Sequence, residues 1–139
     1  MTERKQSSTY WKGANIMNEL KRGDVYMIPG EYEQGSHILS GSRPFIVVQN
    51  NVGNLNSSLT IVVPLTTKIR RLDIPTHVPM IWSGLRGSMA MCEQVRTVDI
   101  DLDEWEYICH LPDEIMEHVD NAIRAAFFFK KEDMDDEGE

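Results

Sequence analysis

The sequence predicts a mainly β domain, a small antiparallel barrel or strongly curved sheet, closed by one C-terminal helix. Three observations predict it. Between residues 21 and 99, short β-branched or apolar runs alternate with turns rich in Gly, Asn and Ser, the cadence of short strands joined by hairpins and loops. From residue 111 the apolar spacing changes to a helical period. The chain of 139 residues is about one domain long, enough to bury a single core.

Residues 1–18 are rich in Ser, Thr, Lys and Gln, with isolated Tyr10 and Trp11, and have no sustained period; they are expected to be an extension ahead of a domain spanning 19–129. "KRGDVYMIP" (21–29) is expected as the first strand, beginning after Gly23, with Val25 and Met27 on one side of the pleat and Asp24, Tyr26 and Ile28 on the other. "GEYEQGSHILSGS" (30–42) is a loop too long for a tight hairpin, a length that compact domains usually reserve for function or leave without order. "RPFIVVQN" (43–50) reads as a strand buried on both faces, and "NVGNLNSS" (51–58) as turn chemistry. "LTIVVPLTTK" (59–68), "THVPMIW" (76–82) and "GSMAMCEQVRTVD" (87–99) follow as strands, the last two joined by "SGLRG". The segment 111–129 opens with Pro112, Asp113 and Glu114, a proline and negative charge where a helix N-terminus favours them, and Ile115, Val119, Ala122 or Ile123, and Ala126 recur at helical spacing. "KKEDMDDEGE" (130–139) reads as an acidic, solvated tail.

A net charge of −8 argues at first sight against a phosphate-binding surface, but the charge is segregated. Residues 19–96 carry eight basic and six acidic side chains, whereas residues 97–120 carry nine acidic and no basic ones. A mildly basic middle can meet a phosphate backbone if the acidic third points elsewhere. No apolar run approaches the roughly 18 residues of a membrane span, and the first twenty residues lack the continuous apolar stretch of a secretory signal. A cytoplasmic address and no membrane partner are therefore expected. Cys92 and Cys109 show no CxxC spacing and are expected as reduced thiols. His37, His77, His110 and His118 show neither i, i+4 pairing nor zinc spacing with cysteine. The acidic stretch 97–106 lacks the loop glycine and terminal Glu of a calcium-binding hand and reads as a solvated turn, so neither metal nor cofactor is expected.

The pieces "KRGDVY", "RPFIVVQNNVGN", "TIVVPLTTKI", "PTHV" and "EQVRTVD", in this order and at these intervals, resemble the MazF/PemK family of toxin ribonucleases from bacterial toxin–antitoxin pairs, across roughly residues 20–129. The resemblance implies an SH3-like barrel with a C-terminal helix, assembled as a homodimer. It implies metal-independent, sequence-specific cleavage of single-stranded RNA, and an antitoxin protein as partner. The implied chemistry is attack of the RNA's own 2′-hydroxyl on the adjacent phosphorus, leaving a cyclic phosphate. That route needs no protein nucleophile; it needs the 2′-oxygen deprotonated, the 5′-oxygen protonated and the phosphorane charge stabilised. The loop "GSHILSGS" departs from the Gly/Glu/Gly pattern common in the family, so a cleavage sequence does not carry over.

Within the resemblance, Arg43, directly before Pro44, matches the catalytic arginine. Its planar fork of donors suits two phosphate oxygens and stays charged, which favours charge stabilisation and proton donation over a role as base. Pro44 restricts Arg43 to extended geometry. Thr66 matches the catalytic threonine; Thr67 faces the opposite way by strand alternation, so only one of the pair can serve, and Thr66 is the choice. Lys68, Arg70 and Arg71 form a short basic cluster, read as phosphate contacts. His37, in the long loop, and Gln94 are further RNA-binding candidates. Gln94 is expected to share a strand face with Arg96, where support of the loop or dimer competes with RNA contact. His77 reads more readily as a satisfied structural group than as an acid or base. Two other function classes stay open: a CcdB-like toxin of the same fold that binds DNA gyrase without catalysis, and a degenerate binding module. Against the first stands the chain end "DMDDEGE", where such a toxin needs an apolar end with tryptophan; against the second stands the presence of both Arg43 and Thr66.

Overall fold

The computed structural model describes residues 20–81 and 83–128, so the expected extension (1–18) and acidic tail (130–139) lie outside the described residues. The elements are β1 (Asp24–Ile28), β2 (Arg43–Val47), α1 (Asn51–Asn56), β3 (Leu59–Thr66), β4 (His77–Met80), β5 (Ser88–Met91), β6 (Arg96–Asp99), β7 (Glu106–His110) and α2 (Asp113–Phe127). All pairings are antiparallel, in the order β4-β5-β3-β2-β1-β7, with β6 also on β3. The predicted class, a curled antiparallel sheet with one long C-terminal helix, is the one observed.

The axis of this sheet is β3. One edge pairs with β2 through Val62, Val63 and Pro64; the other pairs first with β6 through Leu59–Val62 and then with β5 through Leu65 and Thr66. Pro64 explains the change of partner. It lies opposite Phe45 without an N–H to give, so this is a non-hydrogen-bonded pair, and the backbone of Pro64 faces the other edge. Continuing the β6 register two residues beyond Val62↔Arg96 would set Gln94 opposite Pro64, in a pair that needs the missing donor. The ladder stops there. Cys92–Gln94 form a 3-10 turn, and β5 resumes in a different register, Leu65↔Ala90. The single strand expected over 87–99 is therefore two strands with a corner between them, and Gln94 and Arg96 do not share a strand face.

Three further expectations change. The turn expected at 51–58 contains α1, because the Asn50 side chain accepts the Gly53 N–H at 2.8 Å and caps a six-residue helix. The acidic stretch 97–106 is only partly a solvated turn: Trp105 is buried at its end, 5.6 Å from the Tyr26 ring centroid, and Glu106 opens β7, which pairs with β1. Helix α2 starts at Asp113, with Pro112 in the capping position ahead of it.

Strand alternation divides the interior into two clusters. Val25, Ile46, Val63 and Leu65 face Ile115, Met116, Val119 and Ala122 of α2; Tyr26, Phe45, Val47 and Val62 face Leu20 and Trp105 on the other side. The central strands are thus apolar on both faces, as the sequence of β2 predicts. Both cysteines are free thiols, Cys92 buried and Cys109 half-buried. Among the described residues no helix is long and apolar enough to cross a membrane.

Ile46 is fully buried at the centre of the larger cluster. Ile46→Ala should lower unfolding stability by about 2–5 kcal/mol, read from the urea midpoint at unchanged m-value.

Candidate functional site

The site begins where β2 and β3 meet their loops. The β2–β3 register, extended two residues past Phe45↔Pro64, sets Arg43 opposite Thr66, so the two residues that the resemblance names come from adjacent strands at one end of the sheet. Arg43 is held there by carbonyl oxygens. Its Nε and Nη2 donate to Ser40 O at 3.0 and 2.7 Å, and its Nη1 donates to Leu65 O at 3.1 Å. One N–H on each terminal nitrogen is left for a ligand. Partial burial pushes the Arg43 guanidinium below its ordinary value.

Arg96 stands close by. Its guanidinium lies 5.3 Å from the Phe45 ring centroid, and burial first, then the charge of Arg43, lowers it from its ordinary value. Among the described residues neither arginine has a carboxylate partner, although Arg22 pairs with Asp120 and Arg71 with Asp73. An anion placed between two such neighbouring cations would relieve their repulsion.

Thr66 is nearly buried, 7% exposed, at the end of β3. Its hydroxyl oxygen accepts the Lys68 N–H at 3.1 Å, which leaves its own proton free to donate. Thr67 is exposed and lies just beyond the strand.

The remaining candidates separate. Lys68 and Arg70 are exposed on the loop leading away from Thr66. Arg71, exposed, makes a two-pronged ion pair with Asp73, Nε–Oδ1 and Nη2–Oδ2 both 3.0 Å. His37 is exposed in the long loop, where its carbonyl takes a hydrogen bond from Gln94 Nε2 at 3.2 Å. The Gln94 Oε1 accepts the Leu39 N–H at 2.7 Å, so both ends of its carboxamide are engaged by loop backbone. His77 is a satisfied structural histidine, as its context suggests: Nδ1 faces the carbonyls of Arg70 and Arg71 at 3.2 and 3.1 Å, and Nε2 lies 3.2 Å from Glu93. Sequence reasoning missed the carbonyls of Ser40 and Leu65, which no residue type signals, and left Arg96 between support of the loop or dimer and RNA contact.

A cavity of about 460 Å³ lies elsewhere, at the opposite end of β1, lined by Lys21, Arg22, His110, Asp113 and Glu117 among others. Two of its charged side chains are paired, Arg22 with Asp120 and His110 with the buried Asp24 at 2.7 Å. Among the described residues no group of three His, Cys, Asp or Glu side chains is arranged to hold a metal ion.

The curled antiparallel sheet with one long C-terminal helix defines a small β-barrel protein, with Arg43 and Thr66 at one end of the sheet and Arg96 close to Arg43. Residues 21–127 match the model of the PemK-like, MazF-like toxins of type II toxin–antitoxin systems, and the chain belongs to that family. It is 38% identical over 110 residues to the endoribonuclease EndoA of Bacillus subtilis, covering 77% of this chain and 93% of that protein. It is 37% identical over 107 residues to the endoribonuclease MazF of Staphylococcus saprophyticus, covering 75% and 88%. A solved mycobacterial endoribonuclease in complex with its cognate antitoxin superposes with a TM-score of 0.63 at 25% identity, covering 80% of this chain and 99% of that one.

Burial pushes the Cys92 thiol up to about 12, with Glu93 and Asp120 adding to the shift, so the thiol is neutral near physiological pH. Native protein at pH 8 should therefore take up iodoacetamide at Cys92 only after unfolding, as followed by peptide mass spectrometry; fast native labelling there would contradict the buried placement.

Proposed function

We propose that this protein is the toxin of a toxin–antitoxin pair, an endoribonuclease that cuts single-stranded RNA at the notch between Arg43 and Thr66 without a metal ion. The observation that carries the reading is the pair of guanidinium groups, Arg43 and Arg96, without a carboxylate partner among the described residues, at the strand end where Thr66 offers a hydroxyl. The relatives' activity as endoribonucleases supports it.

In the proposed reaction the 2′-oxygen forms a bond to phosphorus as the phosphorus–5′-oxygen bond breaks. The 2′ proton leaves to solvent, and the 5′-oxygen takes a proton, giving a 2′,3′-cyclic phosphate and a 5′-hydroxyl. Arg43 meets the phosphate with the N–H groups left on Nη1 and Nη2, stabilises the extra charge of the phosphorane and donates to the departing 5′-oxygen. Desolvation favours that donation, because it disfavours the charged guanidinium. Thr66 donates its hydroxyl proton to a nonbridging oxygen. Arg96 adds positive potential from the side, and Lys68 and Arg70 continue the cationic path along the strand. The partners are single-stranded RNA, a second copy of the chain and an antitoxin protein; the antitoxin bound to the mycobacterial relative supports the last.

Purified protein should cut single-stranded RNA in EDTA and leave cyclic-phosphate ends, read by mass spectrometry of the fragments. A requirement for divalent metal would contradict the mechanism, and inhibition of gyrase supercoiling without RNA cutting would favour a gyrase-binding toxin. Arg43→Ala should lower kcat by about 10²–10³ or more with an unchanged circular dichroism spectrum. Thr66→Val should slow cutting and Thr67→Val should not; the reverse order would move the active hydroxyl by one residue.

A further inference from the structure

We infer that the 3-10 turn Cys92–Gln94, with Arg96, is a bracket that fixes the two loops flanking the Arg43–Thr66 notch, and that Gln94 is a positioning residue for Arg43. Consecutive residues of the turn reach to different loops. Gln94 takes the loop between β1 and β2, accepting the Leu39 N–H at 2.7 Å and donating to His37 O at 3.2 Å. Arg96 adds a bond from Nη1 to Leu39 O at 2.9 Å and one from Nη2 to Gln94 Oε1 at 3.3 Å. The next carbonyl in the chain, Ser40 O, is the one that accepts both Nε and Nη2 of Arg43. A single residue therefore separates the grip of Gln94 from the seat of the Arg43 fork.

Glu93 takes the other loop. Its Oε2 lies 3.2 Å from Nε2 of His77, whose side chain is 6% exposed. The Nδ1 of that ring meets two carbonyls, Arg70 O and Arg71 O, which only accept, and Nε2 meets a carboxylate, so it is the imidazolium form, with a donor on each nitrogen, that ties Glu93 to the chain leaving Thr66. One turn thus sets the distance between the arginine side and the threonine side of the notch.

The residue type fits the task. The loop offers a backbone N–H at Leu39 and a backbone C=O at His37, and a carboxamide supplies one acceptor and one donor to match. A carboxylate matches only the first, an aliphatic side chain neither. Displacing a charge-stabilising group by about 1 Å is enough to cost on the order of 10²-fold in rate, so a bracket one residue away from the carbonyl that seats Arg43 bears on chemistry without touching substrate.

The kinetic test rests on the endoribonuclease reading; the exchange test does not. On a short fluorogenic single-stranded RNA that the wild type cuts, Gln94→Leu should lower kcat about tenfold or more with KM little changed, since the interaction lost is one felt in the transition state. Gln94→Glu keeps the acceptor for Leu39 but sets a carboxylate against Arg96, so it should retain protection of the Leu39 amide without restoring the rate. In an Arg43→Lys background the Gln94→Leu change should cost much less than in the wild type, the non-additivity expected of residues acting through one group. A raised KM at unchanged kcat would make Gln94 an RNA contact, and full additivity would disconnect it from Arg43; either overturns the inference. Independently, the Leu39 amide should exchange faster in Gln94→Leu than in the wild type, measured by hydrogen exchange on the free protein. Unchanged protection at Leu39 overturns the bracket whatever the enzyme does. If the wild type cuts no RNA while Leu39 responds, the endoribonuclease reading fails and the bracket stands.

Discussion

Pro64 has no N–H to offer the edge of β3 that would face Gln94, and the arrangement of the site follows from that missing donor. An uninterrupted β3 edge would continue the β6 ladder in one register past Gln94. With the ladder broken, β6 and β5 meet β3 in separate registers, the sheet curls between them, and the chain between the two strands folds into a tight turn. The residues freed from the ladder, Glu93 and Gln94, turn their side chains onto the loops on either side of Arg43 and Thr66. A proline that weakens a strand locally thereby supplies the corner that frames the notch.

Electrostatics then separates this end of the molecule from the rest. The chain is acidic overall, yet several acids of the described residues are engaged away from this end. Asp99 pairs with Leu59, about 23 Å back along β3 from Thr66 at the usual strand rise. Asp120 answers Arg22, Asp73 answers Arg71, and Asp24 answers His110. Arg43 and Arg96 are instead held by carbonyl oxygens and by the face of Phe45, which fix their geometry without cancelling their charge. In the proposed function that difference is what suits these two arginines to a phosphate, in a protein whose net charge is −8.

Much of this was legible in the residues. Alternation in β1 placed Val25 and Tyr26 on opposite faces, where they join different clusters, and the helical spacing from Ile115 to Ala122 marked the buried side of α2. Arg43 and Thr66 could be paired only through the family resemblance, because nothing in one sequence states strand register. The break at Gln94 was hidden because its cause lies 30 residues away, at Pro64, and acts through pairing rather than local propensity. Strand β7 was hidden for a similar reason: its acidic flank reads as solvent-facing, and only the burial of Trp105 against Tyr26 shows that the segment returns to the sheet. The ion pair of Arg71 with Asp73 was not read from the sequence, where Arg71 belongs to a basic cluster.

In the proposed function Arg43 and Arg96, and not the arginines already paired with carboxylates, receive the phosphate. Arginine Nε–H signals, followed by NMR during titration with a single-stranded DNA oligonucleotide that lacks the attacking 2′-hydroxyl and is not cut, separate the two groups. The signals of Arg43 and Arg96 should shift with saturation, at a midpoint that weakens steeply with added salt, while those of Arg22 and Arg71 stay in place. Shifts at Arg22 or Arg71 with Arg43 and Arg96 unmoved would contradict the account.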